Sequence, residues 1–268
     1  MVESADRGRG SLIAVGTGIR IAGQLTTEAI AWMRRADRVL YVVGDPIAEV
    51  AIRELNPQGA ESLLPMYGEG MPRQQSYRAM VGRMLDCVRS GMVTCTVTYG
   101  HPGIFATPTH EAVRQARAEG YPARILPAIS AEDCLFADLC VDPAANGCQT
   151  YEAADFLLHG RVIDNSASVV LWQIGVGGDP LYRRGGYDLS LLPSLVERLR
   201  LFYPPDHIGY VYEAATLPAT SSYVCPCPLS ELCRTRLTSA STLYIPPWRV
   251  SSVDPAVQAR IAAMHSAT

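Results

Sequence analysis

SLIAVGTGI, residues 11–19, carries an apolar strand into Gly16-Thr17-Gly18. The residues just beyond it decide the class of fold. GQLTTEAI offers Thr26 as the N-cap of a helix over about 27–36, so strand, glycine turn and helix stand in the order that opens a βαβ unit. The pattern repeats outward, with strand-like RVLYVV (38–43), helices at about 47–55 and 73–90, MVTCTVTYG (92–100), a helix at about 108–119 and PARILP (122–127). Alternation of this kind predicts an α/β fold with a largely parallel sheet.

Beyond residue 128 the rhythm changes. A short helix in SAEDCLFADL leads to a Pro/Asn/Gly-rich connection at 141–148, and the strands SVVLWQI (168–174), IGYVYEA (208–214) and STLYIP (241–246) share one strong helix at about 189–202. Fewer helices per strand predicts a second, more antiparallel subdomain. The expected organisation is a polar extension (1–10), an N-terminal α/β subdomain (11–127), a C-terminal α/β subdomain (128–248) and a short helical tail (249–268). In the tail, Asp254 is placed as N-cap and Pro255 as first helical residue, with Val257, Ile261 and Ala262 at helical spacing.

The composition excludes several functions. With 268 residues, 48 % hydrophobic, the chain can bury a sizeable core. A net charge of -3 with no basic run argues against nucleic acid and anionic membranes as partners. All 23 basic residues are Arg, which removes Schiff-base and Walker-type lysine chemistry. The eight cysteines are scattered through mostly apolar segments, and Cys225-Pro226-Cys227 lacks zinc-site spacing, so neither a disulfide framework nor a metal is expected. The apolar run SLIAV is too short for a signal sequence or a membrane span, and a reducing cytoplasm is the expected location.

Three stretches hold candidate chemistry. Gly16-Thr17-Gly18 lets backbone approach a ligand, but it fails as a Rossmann fingerprint because the third glycine and the later acidic residue are not convincingly in place; Asp45, after the second strand, reads either as such a ligand-binding acid or as a turn or helix-cap residue. YGHPGIF (99–105) sits where a parallel sheet binds ligands, beyond the carboxyl end of a strand, and its flanking aromatics suit a nucleoside. There His101 reads either as a ligand contact or as a hydrogen-bonded turn residue. In AISAEDCLFADL (128–139), Ser130 and Asp133 form a capping box while Ala131 permits close approach.

Taken in order, GTG, YGHPGIF, SAEDCLFADLC, CQTYEAADFLL (148–158), LWQIG (171–175) and STLYIPP (241–247) resemble the tetrapyrrole-methylase fold of S-adenosylmethionine-dependent methyltransferases, and more closely the borosin peptide α-N-methyltransferases, over about residues 11–250. That resemblance implies two α/β subdomains with the cofactor in the cleft between them. By the same resemblance, Tyr99, His101, Ile104 and Ala131 from the first half and Gln173, Ala214, Ser241 and Thr242 from the second would bind S-adenosylmethionine.

YGEGMPRQQSY (67–77) then gains a role. Borosin enzymes methylate backbone amides, whose nitrogen lone pair is delocalised into the carbonyl. Arg73 and Tyr77, four apart on a helix beginning near Pro72, can face one substrate carbonyl and stabilise charge on its oxygen. The family's further tyrosine falls at Leu64, so Tyr67 or Tyr99 would supply the base, provided a nearby cation lowers its pKa. No metal is required. The resemblance further implies a homodimer, and the short stretch after STLYIPP implies a precursor peptide supplied in trans, giving a heterotetramer with two precursor chains. The alternatives are a porphyrin- or corrin-type small-molecule methyltransferase, or a homologue that holds cofactor and peptide without turnover.

Overall fold

The structure is a computed structural model that describes residues 9–266. The described chain divides into two compact units. The first takes in the N-terminal part through Val141 together with Asp179–Tyr187 and Glu213–Tyr223; the second takes in Asp142–Gly178, Asp188–Tyr212 and the chain from Val224 onward.

The first unit follows the predicted alternation: β1 (Ser11–Gly16), α1 (Ile21–Gln24), α2 (Thr27–Arg35), β2 (Arg38–Val42), α3 (Pro46–Leu55), β3 (Ala60–Ser62), α4 (Arg73–Arg89), β4 (Val93–Thr98), α5 (Thr107–Ala118), β5 (Ala123–Ile125) and α6 (Ala131–Asp138). Among the described residues its strands form one sheet in the order β3-β2-β4-β1-β5, with every paired strand parallel. Side chains on a strand alternate between faces, and here both faces are covered. Ile13 and Val15 of β1 join Trp32, Met33 and Ile52 on one side, while Leu12 joins Met80, Met84, Leu85 and Val113 on the other. A sheet covered on both faces explains the near-continuous apolar reading of these strands.

Local signals fix the helix starts. The Thr26 side chain accepts from the Ala29 N–H at 3.1 Å, and Asp45 accepts from the Ile47 N–H at 2.9 Å with Pro46 in the first turn, which gives Asp45 the cap role. Ser130 and Asp133 close the expected capping box. The strand read over 92–100 stops at Thr98 because Gly100 turns into the left-handed region, φ +71°.

The second unit holds α7 (Pro143–Asn146), β6 (Cys148–Glu152), α8 (Ala153–Leu158), β7 (Ser168–Trp172), α9 (Leu192–Leu199), β8 (Ile208–Glu213), β9 (Tyr223–Pro228), β10 (Thr242–Ile245) and α10 (Pro255–Ser266). Its sheet runs β6-β7-β10-β8-β9. β6 pairs parallel to β7, while β10 pairs antiparallel to both β7 and β8, in keeping with the more antiparallel character expected here. The fully buried β7 lies inside this sheet, between β6 and β10. The helix read over 189–202 contracts to α9, which has Pro193 in its first turn and buries Leu192, Leu195, Val196 and Leu199. The tail helix starts as read, the Asp254 carboxylate accepting from the Ala256 N–H at 2.8 Å. No helix among the described residues is long and apolar enough to cross a membrane.

Candidate functional site

Two strands of the first sheet, β1 and β4, are neighbours although β2 and β3 intervene in sequence, which makes their carboxyl ends the point where strand order reverses. The loops leaving them are locked together. Gly18 donates to the Gly100 carbonyl at 3.3 Å and Gly100 donates back to Gly18 at 3.0 Å. At Gly16 a Cβ would stand 2.0 Å from the Gly100 oxygen, so glycine is what lets the loops meet.

Tyr99, His101 and Ile104 lie in the loop that leaves β4. Tyr99 and Ile104 present exposed apolar surface, as does Phe105, whose φ of +51° makes it one of three described non-glycine residues in the left-handed region. His101 takes the turn role: its Nδ1 accepts from the Gly103 N–H at 2.9 Å. Burial pulls this imidazole below its usual range, with Asp133 acting against that and His110 with it. Ala131 opens α6 directly after its capping box, and Ala214 is half-buried in the Glu213–Tyr223 segment of the same unit. A depression of about 390 Å³ is lined by Arg20, Gln24, Ile129, Asp133, Cys134 and Ala215 among others, and by none of the predicted residues. Gln24 is occupied with the fold there, its oxygen accepting from the Ile19 and Arg20 N–H groups at 2.7 and 2.8 Å.

The other three predicted cofactor residues belong to the second unit. Gln173 directly follows β7 and adopts φ +57°. Ser241 is fully buried, its Oγ accepting from the Thr238 N–H at 2.8 Å, and Thr242 opens β10.

The tyrosine-arginine cluster forms at the start of α4. That helix begins at Arg73 with Pro72 as cap, so Arg73 and Tyr77 fall on one face as the spacing predicts. Tyr67 stands edge-on to Tyr77, ring centroids 6.3 Å apart, and Leu64 lies in the short turn just before it, its carbonyl accepting from the Tyr67 N–H at 3.0 Å. A segment without helix or strand periodicity completes the cluster, and sequence reasoning gave no sign of it. Residues 179–187, DPLYRRGGY, lie antiparallel against residues 69–73 through a Pro72–Leu181 bridge. Gly70 donates to Tyr182, Tyr182 donates to Met71 and Arg73 donates to Pro180, each at 2.9 Å, while the Arg184 N–H reaches the Glu69 carboxylate at 2.9 Å. The Tyr182 ring stacks on Tyr67, centroids 4.6 Å apart. Arg73 donates a side-chain hydrogen bond to the Asp179 carbonyl, and its guanidinium sits 5.6 Å from the Tyr187 ring centroid.

Both base candidates depart from expectation. Burial raises the Tyr67 phenol above the ordinary tyrosine value, helped by Tyr77 and Tyr182; Arg73 pulls it down, but this is the weakest of the named effects. Tyr99 is pushed up to about 12, by desolvation first and then by Cys134 and Asp45. The cation expected to lower a phenol is present beside Tyr67, then, but desolvation outweighs it.

A parallel, doubly wound sheet with a glycine-locked switch point, in a chain that also builds a mixed sheet, agrees with the class of fold that the motifs resemble. The chain belongs to the Tetrapyrrole (Corrin/Porphyrin) Methylases, whose pattern matches residues 11–233. Among solved structures it is similar to uroporphyrin-III C-methyl transferase from Thermus thermophilus complexed with S-adenyl homocysteine, with a TM-score of 0.62 at 19 % identity over 91 % of this chain and 96 % of that one. Among curated relatives it is 41 % identical over 251 residues to the methyltransferase/ribosomally synthesized cyclic peptide dendrothelin A precursor of Dendrothele bispora, covering 92 % of this chain and 60 % of the relative. It is also 40 % identical over 261 residues to a methyltransferase/ribosomally synthesized type III borosin cyclic peptide precursor of Anomoporia bombycina, covering 96 % of this chain and 30 % of the relative. The chain thus spans less than two thirds of the length of these relatives.

Proposed function

We propose that the chain transfers methyl groups from S-adenosylmethionine to backbone amide nitrogens of a precursor peptide. The observation that carries this reading is the Tyr67–Arg73–Tyr77 cluster, which places two phenols and a guanidinium together at one helix start. The two curated relatives, each named as both a methyltransferase and a peptide precursor, support it, and the S-adenyl homocysteine complexed with the Thermus thermophilus enzyme supports the cofactor.

The carboxyl edge of the first sheet fits a nucleoside-bearing cofactor. It combines exposed apolar side chains, a left-handed Phe105 and, at the end of β4, a buried Thr98 Oγ1 with no hydrogen-bond partner among the described residues. Tyr99, His101, Ile104, Ala131 and Ala214 would hold it. When bound, S-adenosylmethionine supplies a methyl group already activated as a sulfonium.

The harder task falls to the chain itself, because an amide nitrogen becomes nucleophilic only as its proton leaves and charge gathers on the carbonyl oxygen. Arg73 and Tyr77 donate to that oxygen, each donor contributing roughly 3–4 kcal/mol to the transition state in comparable oxyanion sites. Tyr67, close to both, receives the amide proton as phenolate.

In the test, purified chain is incubated with S-adenosylmethionine and a separately supplied precursor peptide, and the products are fragmented in a mass spectrometer. Methyl groups located on backbone nitrogens support the proposal. Methylation of a corrin or porphyrin substrate instead, the reaction type for which the family is named, would replace it. Cofactor binding with neither product would leave a binding protein.

A further inference from the structure

We propose that residues 179–187 form a strap that positions the site, with Tyr182 holding the Tyr67 ring and Tyr187 holding the Arg73 guanidinium where the substrate carbonyl is to be met. This rests on the peptide-methylation reading. The strap has no helix or strand pattern of its own, yet its backbone is tied to residues 69–73 at three points and by the Arg184–Glu69 contact. Order of that kind in a loop needs long-range partners, and here the partners are the residues that lead into α4.

The chemistry of the contacts argues for positioning rather than simple packing. Tyr182 lies nearly flat on Tyr67, 22° between ring planes, so it fixes the plane of the phenol while Tyr77 meets the ring edge-on. Arg73 is gripped by a neutral carbonyl and an aromatic face, and it forms no ion pair among the described residues. The carboxylate of the same Asp179 is engaged elsewhere: it accepts from the Leu181 N–H at 2.9 Å and pairs with Arg183 at 3.1 Å. The strap therefore orients the guanidinium without a direct ion pair: the Asp179 carboxyl is held below its usual range first by the Leu181 N–H, then by Arg183, and Arg73 is the weakest of these influences, which leaves the guanidinium available to an incoming oxyanion.

The test compares Tyr182→Leu and Tyr187→Leu, which lose the ring, with Tyr182→Phe and Tyr187→Phe, which keep it. With peptide and cofactor, the Leu variants are expected to lose roughly 10- to 100-fold in kcat, the scale of a misplaced catalytic group. The Phe variants should stay within about threefold, and S-adenosylhomocysteine affinity by calorimetry should be unchanged in all four. Parent-like turnover in the Leu variants overturns the proposal, as does an equal loss in the Phe variants. A second readout is independent of turnover. The ultraviolet phenol titration of the parent minus that of Tyr67→Phe isolates the Tyr67 hydroxyl, whose neighbours are Tyr77, Tyr182 and Arg73. In Tyr182→Leu minus the matched Tyr182→Leu/Tyr67→Phe variant, that hydroxyl should begin to ionise at lower pH, read below about pH 10 where the fold is kept, since the ring that shields it is gone; an unchanged onset overturns the strap's role even if no peptide is methylated. Absence of methylation in the parent, with the titration shifted as expected, would instead sink the reaction assigned above and leave the strap standing.

Discussion

Arg73 carries its charge between an aromatic face and a main-chain carbonyl, and that choice of neighbours makes its identity matter. A lysine ammonium is a point charge without a planar fork, so it cannot keep the Asp179 carbonyl and a substrate oxygen in one plane. Arg73→Lys should therefore lower kcat by about 10²-fold or more, in the range of losing an oxyanion donor, with S-adenosylhomocysteine affinity held. Parent-like kcat in this variant would show that a charge at position 73 suffices and that the planar fork is not used. Tyr67 makes a separate prediction in pH. Its pKa lies above the ordinary 10.0, so near neutrality only a small fraction is phenolate and that fraction grows tenfold per pH unit. With Tyr67 as the base, kcat should climb with near-unit slope from about pH 7 to 9.5, and Tyr67→Phe should flatten the climb. A flat parent profile would mean that the proton goes elsewhere.

At the scale of elements, the sequence displayed whatever depends on local periodicity. Strands β1 and β4, the caps at Thr26 and Ser130 and the start of α4 at Arg73 each carry their own signal in apolar spacing, cap chemistry or proline. Short strands such as Ala60–Ser62 and Cys148–Glu152 have no such signal, since three to five half-buried residues at a sheet edge are ordered mainly by the neighbouring strand. The strap is the extreme case: DPLYRRGGY has no apolar period, and its conformation is set by hydrogen bonds to residues more than a hundred positions away. Candidate residues in the tyrosine cluster were thus readable from YGEGMPRQQSY, while Tyr182, Tyr187 and Asp179 were not. The glycine junction gives the prediction that belongs here. In Gly16→Ala the added methyl would meet the Gly100 carbonyl oxygen, which is backbone and not a flexible side chain, and overpacking of that kind costs about 1–3 kcal/mol. The melting temperature should fall, and S-adenosylhomocysteine affinity should fall with it because the Gly100 loop has to move. A variant that keeps both parent values would show that the junction yields freely and does not shape the edge.

For the whole molecule the absence of lysine has a measurable effect. A chain whose basic residues are all Arg keeps its cations far into alkali, so the side chains that titrate above pH 9 are phenols and thiols. Several of these phenols sit where ionisation is opposed. Tyr41 is fully buried, donates from its hydroxyl to Glu49 at 2.8 Å and is pushed up to about 12, chiefly by burial and then by the hydrogen bond and charge of Glu49. Tyr67, packed between Tyr77 and Tyr182, is raised as well. A group whose pKa is higher folded than unfolded holds its proton better in the native state, so its stabilisation is complete below the unfolded value and is lost as pH rises through the folded one. The window runs from the ordinary 10.0 to about 12. Urea midpoints measured along a pH series should therefore be level at about pH 8–9.5 and decline steeply above pH 10. Tyr41→Phe keeps the ring, and Glu49 keeps its Arg53 partner at 2.9 Å; the variant should decline less steeply than the parent. If the two slopes coincide, the alkaline loss arises from other groups and the burial of Tyr41 contributes nothing to it.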